Sequence, residues 1–329
     1  MNITILDDYA SAVRGLQCFS SLAGHEVTIW NDYTNDVNVL AERLKDTEIL
    51  VLLRERTAVR APLIERLPRL KMISQRNVYP HIDVEVCTRR GIIVATTTPP
   101  ETAFYAAAEL TWGLVIAAVR RIPQEMAALK SGRWQSSVGV DLRGTLLGIY
   151  GYGRIGAMLA NYGKAFGMRI LVWGREGSAA RARADGLTFA PGRNALFEQS
   201  DVLAITVRLN EQSAGIVTAK DLARMKPSSL LVNTSRAALI ERGALAAALK
   251  AGRPGMAAVD VYDDEPVFGA RDPLLALDNV ICTPHLGYVT QKNLDSYFSY
   301  AFNQIAAYLV GKPTNVINPE ALKAHGLSA

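Results

Sequence analysis

The chain has 329 residues, 49% hydrophobic and 20% charged, a balance that excludes a disordered or fibrous protein and leaves room for two domains. Its formal charge of +5 is spread along the chain with no basic run, which argues against nucleic-acid binding and suits an enzyme that handles anions. The three cysteines, Cys18, Cys87 and Cys282, lie far apart without a CxxC pair, so neither a disulfide framework nor a metal site is expected; they read as small buried hydrophobes in a reducing cytoplasm.

The first ten residues, MNITILDDYA, put two acids straight after one short apolar run and make no signal peptide. The runs Ile3–Leu6, Val27–Trp30, Ile49–Leu53, Met72–Ser74 and Ile92–Ala95 predict strands buried on both faces. Helical spacing at Asp36–Lys45 and Pro62–Leu67 falls between them, so a parallel sheet with helices on both sides is expected. Thr96–Pro100, TTTPP, is a breaker-rich exit from this unit. Helices are predicted over Thr102–Ile122 and Gln124–Lys130. The apolar stretch Phe104–Val119 is interrupted by Glu109 and too short to cross a membrane, so it reads as a buried helix. Six further strands follow, at Leu146–Tyr150, Ile170–Trp173, Val202–Thr206, Leu230–Asn233, Ala257–Val261 and Val280–Cys282, the number of a complete dinucleotide-binding sheet. A last helix over Thr290–Val310 lies beyond that sheet and crosses back to the first domain, with Pro313–Ile317 joining it there. Disorder is expected only in the last dozen residues.

Gly151-Tyr152-Gly153-Arg154-Ile155-Gly156 is a GxGxxG sequence between the strand at Leu146–Tyr150 and a helical stretch at Ile155–Phe166, the context in which glycines bind a pyrophosphate. Gly151 permits the tight turn, Gly153 lets the backbone approach the anion, and Gly156 lets the helix pack on the strand. After the next strand, Gly174 and Arg175 stand where NAD-selective proteins carry an acid. This favours NADP over NAD, although a shifted turn could bring Glu176 to the ribose. Three polar residues follow later strand ends: Arg236 in NTSRAALI, Glu265 in VDVYDDEPV and His285 in CTPHLGY. Together they supply what reduction of a 2-oxo acid needs. A guanidinium binds the carboxylate and polarises the carbonyl, an imidazole exchanges the proton, and a carboxylate fixes the imidazole tautomer.

With GYGRIG, NTSR, VDVYDDEP and TPH in that order, the chain resembles the D-isomer-specific 2-hydroxyacid dehydrogenase family, the relatives of D-3-phosphoglycerate dehydrogenase and glyoxylate/hydroxypyruvate reductase, from about Leu44 to Ile317. The resemblance implies the catalytic roles of Arg236, Glu265 and His285. It also implies an oxidoreductase of two doubly wound parallel-sheet α/β domains: a flavodoxin-like substrate domain from residues 1–98 and 296–329, and an inserted Rossmann dinucleotide-binding domain from 99–295. A homodimer is implied as well. It places Asp260 near the nicotinamide carboxamide, Val207 and Arg208 beside the adenosine, and Asn233, Thr234, Ser235 and Gly287 with the cofactor.

The chain departs from the family at two points. Ala237 stands where the family usually has glycine, which slightly stiffens that loop. The loop after Met72–Ser74, QRNVYPHID, has no glycine and is one residue shorter, though relatives hold the substrate carboxylate on backbone N–H groups there. Arg54, Arg76, Asn77, Val78 and Tyr79 are therefore the candidate substrate-binding residues, with Arg236 and His285. Arg54 and Arg76 either hold a second anionic group on a dicarboxylate or phosphorylated substrate, or are solvated or paired with Glu55 and Asp83. His81 reads as structural. A nucleotide-sensing, co-repressor-like protein of the same fold is the alternative function, and it would not require Arg236, Glu265 and His285 together. Glu265 argues against the formate dehydrogenase branch, which has glutamine there. No metal, membrane or nucleic-acid partner is expected.

Overall fold

The structure, a computed structural model, describes residues 1–97 and 105–327. One compact unit takes the described residues before 98 together with those from Thr290 onward; the other spans Tyr105–Val289.

In the first unit, β1 (Asn2–Ile5), β2 (Glu26–Ile29), β3 (Ile49–Val51), β4 (Met72–Ser74) and β5 (Ile93–Ala95) form a parallel sheet in the order β2-β1-β3-β4-β5. This is the flavodoxin-like order, whose connections reverse between β1 and β3. The register sets Ile3 beside Ile49, and Leu50 beside Ile73, which in turn neighbours Val94. Leu50, Leu52, Ile73 and Val94 pack in one core with Leu40 and Leu44 of the helix Val37–Leu44 and with Leu63 and Ile64 of Ala61–Ile64. Asp36 caps the first of these helices, accepting from the amides of Asn38 and Val39. β2 departs from the expected double burial. It pairs only with β1, so as an edge strand it alternates between exposed and half-buried residues.

The long helix Gln291–Leu309 belongs to this unit and buries Phe298, Phe302 and Ile305. Pro313–Ile317 joins this unit as expected, whereas the described residues after it, Asn318–Leu327, are folded where disorder was expected. Val316 bridges Ala95 antiparallel, Asn318 accepts from the Val94 amide at 2.8 Å, and Ala321 and Leu322 are buried in a 3-10 turn. Sequence periodicity also overlooked two 3-10 turns at Val13–Gly15 and Gln17–Leu22, which are too short to show a helical period.

The second unit holds seven parallel strands, not six. They are β6 (Leu146–Tyr150), β7 (Arg169–Trp173), β8 (Thr188–Phe189), β9 (Val202–Ile205), β10 (Leu230–Asn233), β11 (Met256–Val259) and β12 (Val280–Cys282), in the order β12-β11-β10-β9-β6-β7-β8. The unpredicted β8 has two residues at the sheet edge, too few to carry a period. Read from β8, this is the Rossmann order extended by one strand, with the switch point between β6 and β9. One face packs Leu147 and Ile149 against Trp112, Val115, Leu159 and Ala160; the other packs Tyr150, Leu203 and Ile205 against Phe197, Leu222 and Leu245. The helix expected from Thr102 begins outside the described residues and is seen over Tyr105–Val119; part of the expected exit Thr96–Pro100 also lies outside them. Among the described residues no helix is long and apolar enough to cross a membrane, and no group of three or more His, Cys, Asp or Glu side chains could hold a metal. Cys87 is buried as expected, but Cys18 and Cys282 are only half-buried.

Candidate functional site

The glycine turn follows β6 directly and opens the helix Arg154–Ala165, with Gly153 as its N-cap. Gly151 has φ +95°, and a Cβ there would come within 3.0 Å of Val207. A Cβ on Gly156 would meet the Gly151 carbonyl at 2.7 Å, so this residue sets the close approach of helix to strand. At Gly153 a Cβ would meet nothing within 4 Å, and no side chain caps the helix amides. An open concavity over uncapped amides fits the diphosphate of a dinucleotide. Arg154 and Gly153 are exposed and Ile155 half-buried at this turn, whereas Tyr152 turns away from it. The Tyr152 side chain is buried with its hydroxyl donating to Asp185 at 2.6 Å, and its amide donates to Ser178 Oγ at 3.1 Å. Arg181 Nε donates to the Tyr152 carbonyl at 2.9 Å, so the turn is held from behind.

After β7 the chain has only Gly174 and Arg175 before the helix Glu176–Ala184 begins. A Cβ on Gly174 would meet Ser178 Oγ at 2.8 Å, so the packing of this helix excludes a larger residue there. Arg175 is exposed. Glu176 lies in the first helical turn, its side chain 87% exposed and 3.6 Å from Arg183.

The Arg236 loop is built by Asn233. This residue, 1% exposed at the end of β10, donates to the Arg236 carbonyl at 2.9 Å and accepts from the Ser235 amide at 3.1 Å. Ser235 Oγ donates to the Val207 carbonyl at 2.9 Å, and Thr234 Oγ1 lies 2.6 Å from Thr111 Oγ1. The Ser235 bond joins the ends of β9 and β10, and the Thr234 pair ties the end of β10 to the helix Tyr105–Val119. Arg236 Nη1 donates to the Ser235 carbonyl at 2.8 Å, and Arg208 beside the same strand end is exposed.

His285 and Glu265 come together as the sequence suggested. His285 Nδ1 and Glu265 Oε2 are 2.6 Å apart, with both side chains mostly buried; Glu265 Oε1 accepts from the Tyr262 amide at 3.0 Å. His285 is in the left-handed region at φ +53°, an unfavourable conformation for a residue with a Cβ. Asp260 holds it there. Its Oδ1 accepts from Thr283 Oγ1 at 2.6 Å and from the Leu286 amide at 2.7 Å, and its Oδ2 accepts from the Gly287 amide at 2.8 Å. Burial pushes the Asp260 carboxyl above the usual range, and these hydrogen bonds pull against it. Both Asp260 oxygens are thus committed to the loop that carries His285. His285 Nε2 has no partner among the described residues.

In the first unit, Arg54 follows β3 and the Gln75–Asp83 loop follows β4. Asn77 takes the left-handed conformation, φ +83°, that a glycine would otherwise supply. Its amide donates to Thr97 at 2.8 Å and its carbonyl accepts from Thr96 Oγ1 at 2.7 Å. Val78 and Tyr79 beyond it are exposed. Arg54, at φ +59°, approaches Glu55 at 3.8 Å, but Arg76 does not pair with Asp83; it is 3% exposed and donates to Ser296 Oγ at 3.2 Å. Arg76 is therefore not solvated, and among the described residues it pairs with neither Glu55 nor Asp83. His81 is 6% exposed, and burial lowers its pKa to about 4, so it is neutral at physiological pH.

Residues 112–287 match the family model described as D-isomer specific 2-hydroxyacid dehydrogenase, NAD binding domain. The chain is 34% identical to a glyoxylate reductase of Aeropyrum pernix over 91% of each sequence. It is 38% identical to a D-3-phosphoglycerate dehydrogenase of Methanocaldococcus jannaschii over 85% of its own length but 53% of that protein. An oxidoreductase structure from Ralstonia solanacearum superposes with a TM-score of 0.92 at 50% identity, covering 98% of each chain. The chain belongs to the D-isomer-specific 2-hydroxyacid dehydrogenase family.

As a member of this family it is an oxidoreductase with a domain for a nicotinamide cofactor, into which the GYGRIG turn fits. Its departure at Ala237 carries no strain, because the residue opens a 3-10 turn and is not among those with positive φ. Several dehydrogenase residues escaped the sequence reading. Tyr262 donates its amide to Glu265 and its hydroxyl to the Thr283 carbonyl at 2.9 Å, and Thr283 holds Asp260. Tyr297 places its hydroxyl between the loops after β3 and β4, accepting from the Arg54 amide at 2.8 Å and lying 3.0 Å from the Leu52 carbonyl. Burial pushes that hydroxyl up to about 12. The spacing of Ser296, Tyr297 and Tyr300 on one helix was the available signal, but it looks the same as ordinary amphipathic packing.

Proposed function

We propose that this chain is a D-2-hydroxyacid dehydrogenase moving a hydride between NADPH and C2 of a small 2-oxo or 2-hydroxy acid, with Arg236, Glu265 and His285 as its catalytic residues. The observation that carries the reading is the 2.6 Å His285–Glu265 pair on a loop stapled by Asp260, with Nε2 left to act. When bound, the cofactor supplies or accepts the hydride. Arg236 binds the carboxylate and polarises the C2 carbonyl. His285 Nε2 gives its proton to the oxygen at C2 in reduction and takes it back in oxidation, while Glu265 keeps Nδ1 protonated and fixes the ring.

The cofactor site in this reading comprises Gly151, Gly153, Arg154, Ile155, Gly156, Gly174, Arg175, Val207, Arg208, Asn233, Thr234, Ser235 and Gly287, with Tyr152 bracing the turn from behind. Asp260 acts there by positioning the loop. The absence of an acid at Gly174, the exposed Arg175 and the outward Glu176 support NADP over NAD. The first unit supplies substrate-binding residues Arg54, Arg76, Asn77, Val78 and Tyr79, with the Val78 and Tyr79 amides offered to the acid group. The substrate-binding domain in this reading takes residues 1–98 with the chain from Thr290 onward, so that the helix Gln291–Leu309 is not divided. Exposed Tyr105, Ile122, Met126, Leu129, Trp134 and Val138 support a homodimer through the second unit. The free thiols support a cytoplasmic location.

The test is a panel of glyoxylate, hydroxypyruvate, pyruvate and larger 2-oxo acids, each with NADPH and NADH. Turnover of at least one acid, with NADPH preferred and the preference lost in Arg175→Ala, is expected. A clear NADH preference contradicts the cofactor assignment, and no turnover of any acid contradicts the activity.

A further inference from the structure

We propose that the amino-terminal edge of the sheet in the second unit carries a binding site for an amphipathic anion, a carboxylate or phosphate with a short apolar tail. The site goes beyond the dehydrogenase reading and lies wholly within the second unit. A depression of about 430 Å³ opens where β6, β7 and β8 begin and where the helices Arg154–Ala165 and Arg193–Gln199 end. Small-molecule sites enclose about 300–1,000 Å³. The floor is apolar and draws on both cores of the unit: Met168, Ile170 and Leu187 from one, Leu146 and Leu171 from the other, all of them buried. The rim is polar and exposed, formed by Lys164, Arg169, Thr188 and Gln199. Backbone bonds hold this shape: the Arg169 amide donates to the Thr145 carbonyl at 2.9 Å, and the Asp201 amide donates to the Leu146 carbonyl at 3.0 Å. A Cβ on Gly163 would come within 2.8 Å of both Leu147 and Ile170, so the helix that bears Lys164 lies directly on the floor.

Charge decides what this depression accepts. The side chains of Lys164 and Arg169 form no hydrogen bond or ion pair among the described residues, and neither do those of Thr188 and Gln199. The acids that flank the rim in sequence are already committed. Asp201 accepts from the Leu146 amide at 2.8 Å and from Lys226 at 2.6 Å, Asp185 accepts from the Tyr152 hydroxyl at 2.6 Å, and Glu198 pairs with Arg224 at 2.8 Å. Two full positive charges are therefore left without counter-ions above an apolar floor. The two helix C-termini oppose them with at most about one negative charge in total, so the rim stays positive. An ammonium and a guanidinium fork suit the oxygens of a carboxylate or phosphate, and the floor takes a short hydrocarbon tail out of water. The Thr188 hydroxyl and Gln199 amide add neutral donors for the same head group. The GYGRIG turn stands at the other end of β6, a strand of five residues and thus about 15 Å away, which separates this site from the one proposed for the dinucleotide.

The experiment titrates the full chain by calorimetry with acetate, butanoate, hexanoate, hexanol, inorganic phosphate and hexyl phosphate, and maps the tightest-binding anion by hydrogen exchange. Hexanoate or hexyl phosphate should bind about 5- to 25-fold more tightly than hexanol, because each exposed ion pair contributes up to about fivefold. Each methylene added between acetate and hexanoate should tighten binding about two- to fourfold. The tighter of hexanoate and hexyl phosphate names the head group. Protection should rise over residues 164–171 and 186–188. Lys164→Ala combined with Arg169→Ala should bring the affinity for that anion down to the affinity for hexanol, with thermal unfolding unchanged. No binding of either anion at millimolar concentration overturns the proposal, as does equal affinity for hexanol or for the anions without a tail. Binding that persists in the double variant, or protection confined to other segments should that variant not fold, places the anion elsewhere and also overturns it. None of these outcomes bears on the dehydrogenase reading.

Discussion

The two loops with the most chemistry are built on opposite plans. Around His285 every buried acceptor is used: Asp260 receives three donors, Glu265 receives the Tyr262 amide and faces the imidazole, and Tyr262 and Thr283 brace the two carboxylates. In the Gln75–Asp83 loop, Gln75 Oε1, Arg76 Nε and both His81 ring nitrogens are buried without a partner among the described residues. Each loop nevertheless holds a non-glycine residue at positive φ, His285 at +53° and Asn77 at +83°. A strained residue inside a complete network is fixed before any ligand arrives, as a proton-transfer group must be. A loop with sealed, unpartnered donors and acceptors is completed by what binds to it. The first plan suits chemistry common to a family, and the second suits a substrate particular to one member.

The largest effect that separates the two plans is expected at His285. His285→Ala should lower kcat by about 10²–10⁴-fold with the circular dichroism spectrum unchanged, because the side chain moves the proton and the fold does not depend on it. Glu265→Gln should lose less, since the amide oxygen can still accept from Nδ1 but carries no charge. Equal activity in His285→Ala breaks the assignment of proton transfer to this loop.

The open loop should reveal itself through pH. His81 is held neutral, with its pKa lowered from 6.5 to about 4 by burial. Between those values the unfolded chain binds a proton that the folded chain refuses, so the folded state loses stability as the pH falls from about 6.5 to 4 and nothing further below that. A shift of that size amounts to at most about 3 kcal/mol. Urea melts at pH 7.5 and 4.5 should show this loss in wild type and a smaller one in His81→Phe; identical pH dependence in the two proteins contradicts a buried neutral His81. The smallest effect is expected at Asn77. Asn77→Gly should stay within about 0.5 kcal/mol of wild type, whereas Asn77→Val should cost about 1–2 kcal/mol in thermal or denaturant unfolding, because a β-branched residue resists φ +83°. Equal stability of the two variants removes the idea that asparagine replaces the family glycine here.

The same contrast explains what was legible in the sequence. The strands of both sheets, the glycine turn, and the Arg236, Glu265 and His285 positions could be read because each is tied to a local pattern: an apolar run, a fixed glycine spacing, or a polar residue just past a strand. The exposed face of β2, the two-residue β8 and the ordered tail at Pro319–His325 could not, since edge position and packing against a distant strand leave no mark on local periodicity. Asp260 was recognised, but its part in holding the His285 loop was not. The bonds that commit it to Leu286 and Gly287 bridge residues 26 and 27 positions away, and only the fold brings them together. The inward turn of Tyr152 and the burial of Arg76 were hidden for the same reason: Asp185 and Ser296 lie far along the chain from the residues they hold.

The central claim is that this chain moves a hydride to C2 of a 2-oxo acid. The most direct test is to supply NADPH or NADH carrying deuterium at C4, in each stereochemical form, together with a 2-oxo acid, and to locate the label in the product by NMR. The account predicts one deuterium at C2 of a D-configured 2-hydroxy acid from one of the two cofactor forms, and none at C2 from the other. Label released to water, or a product without deuterium at C2 from either form, contradicts it.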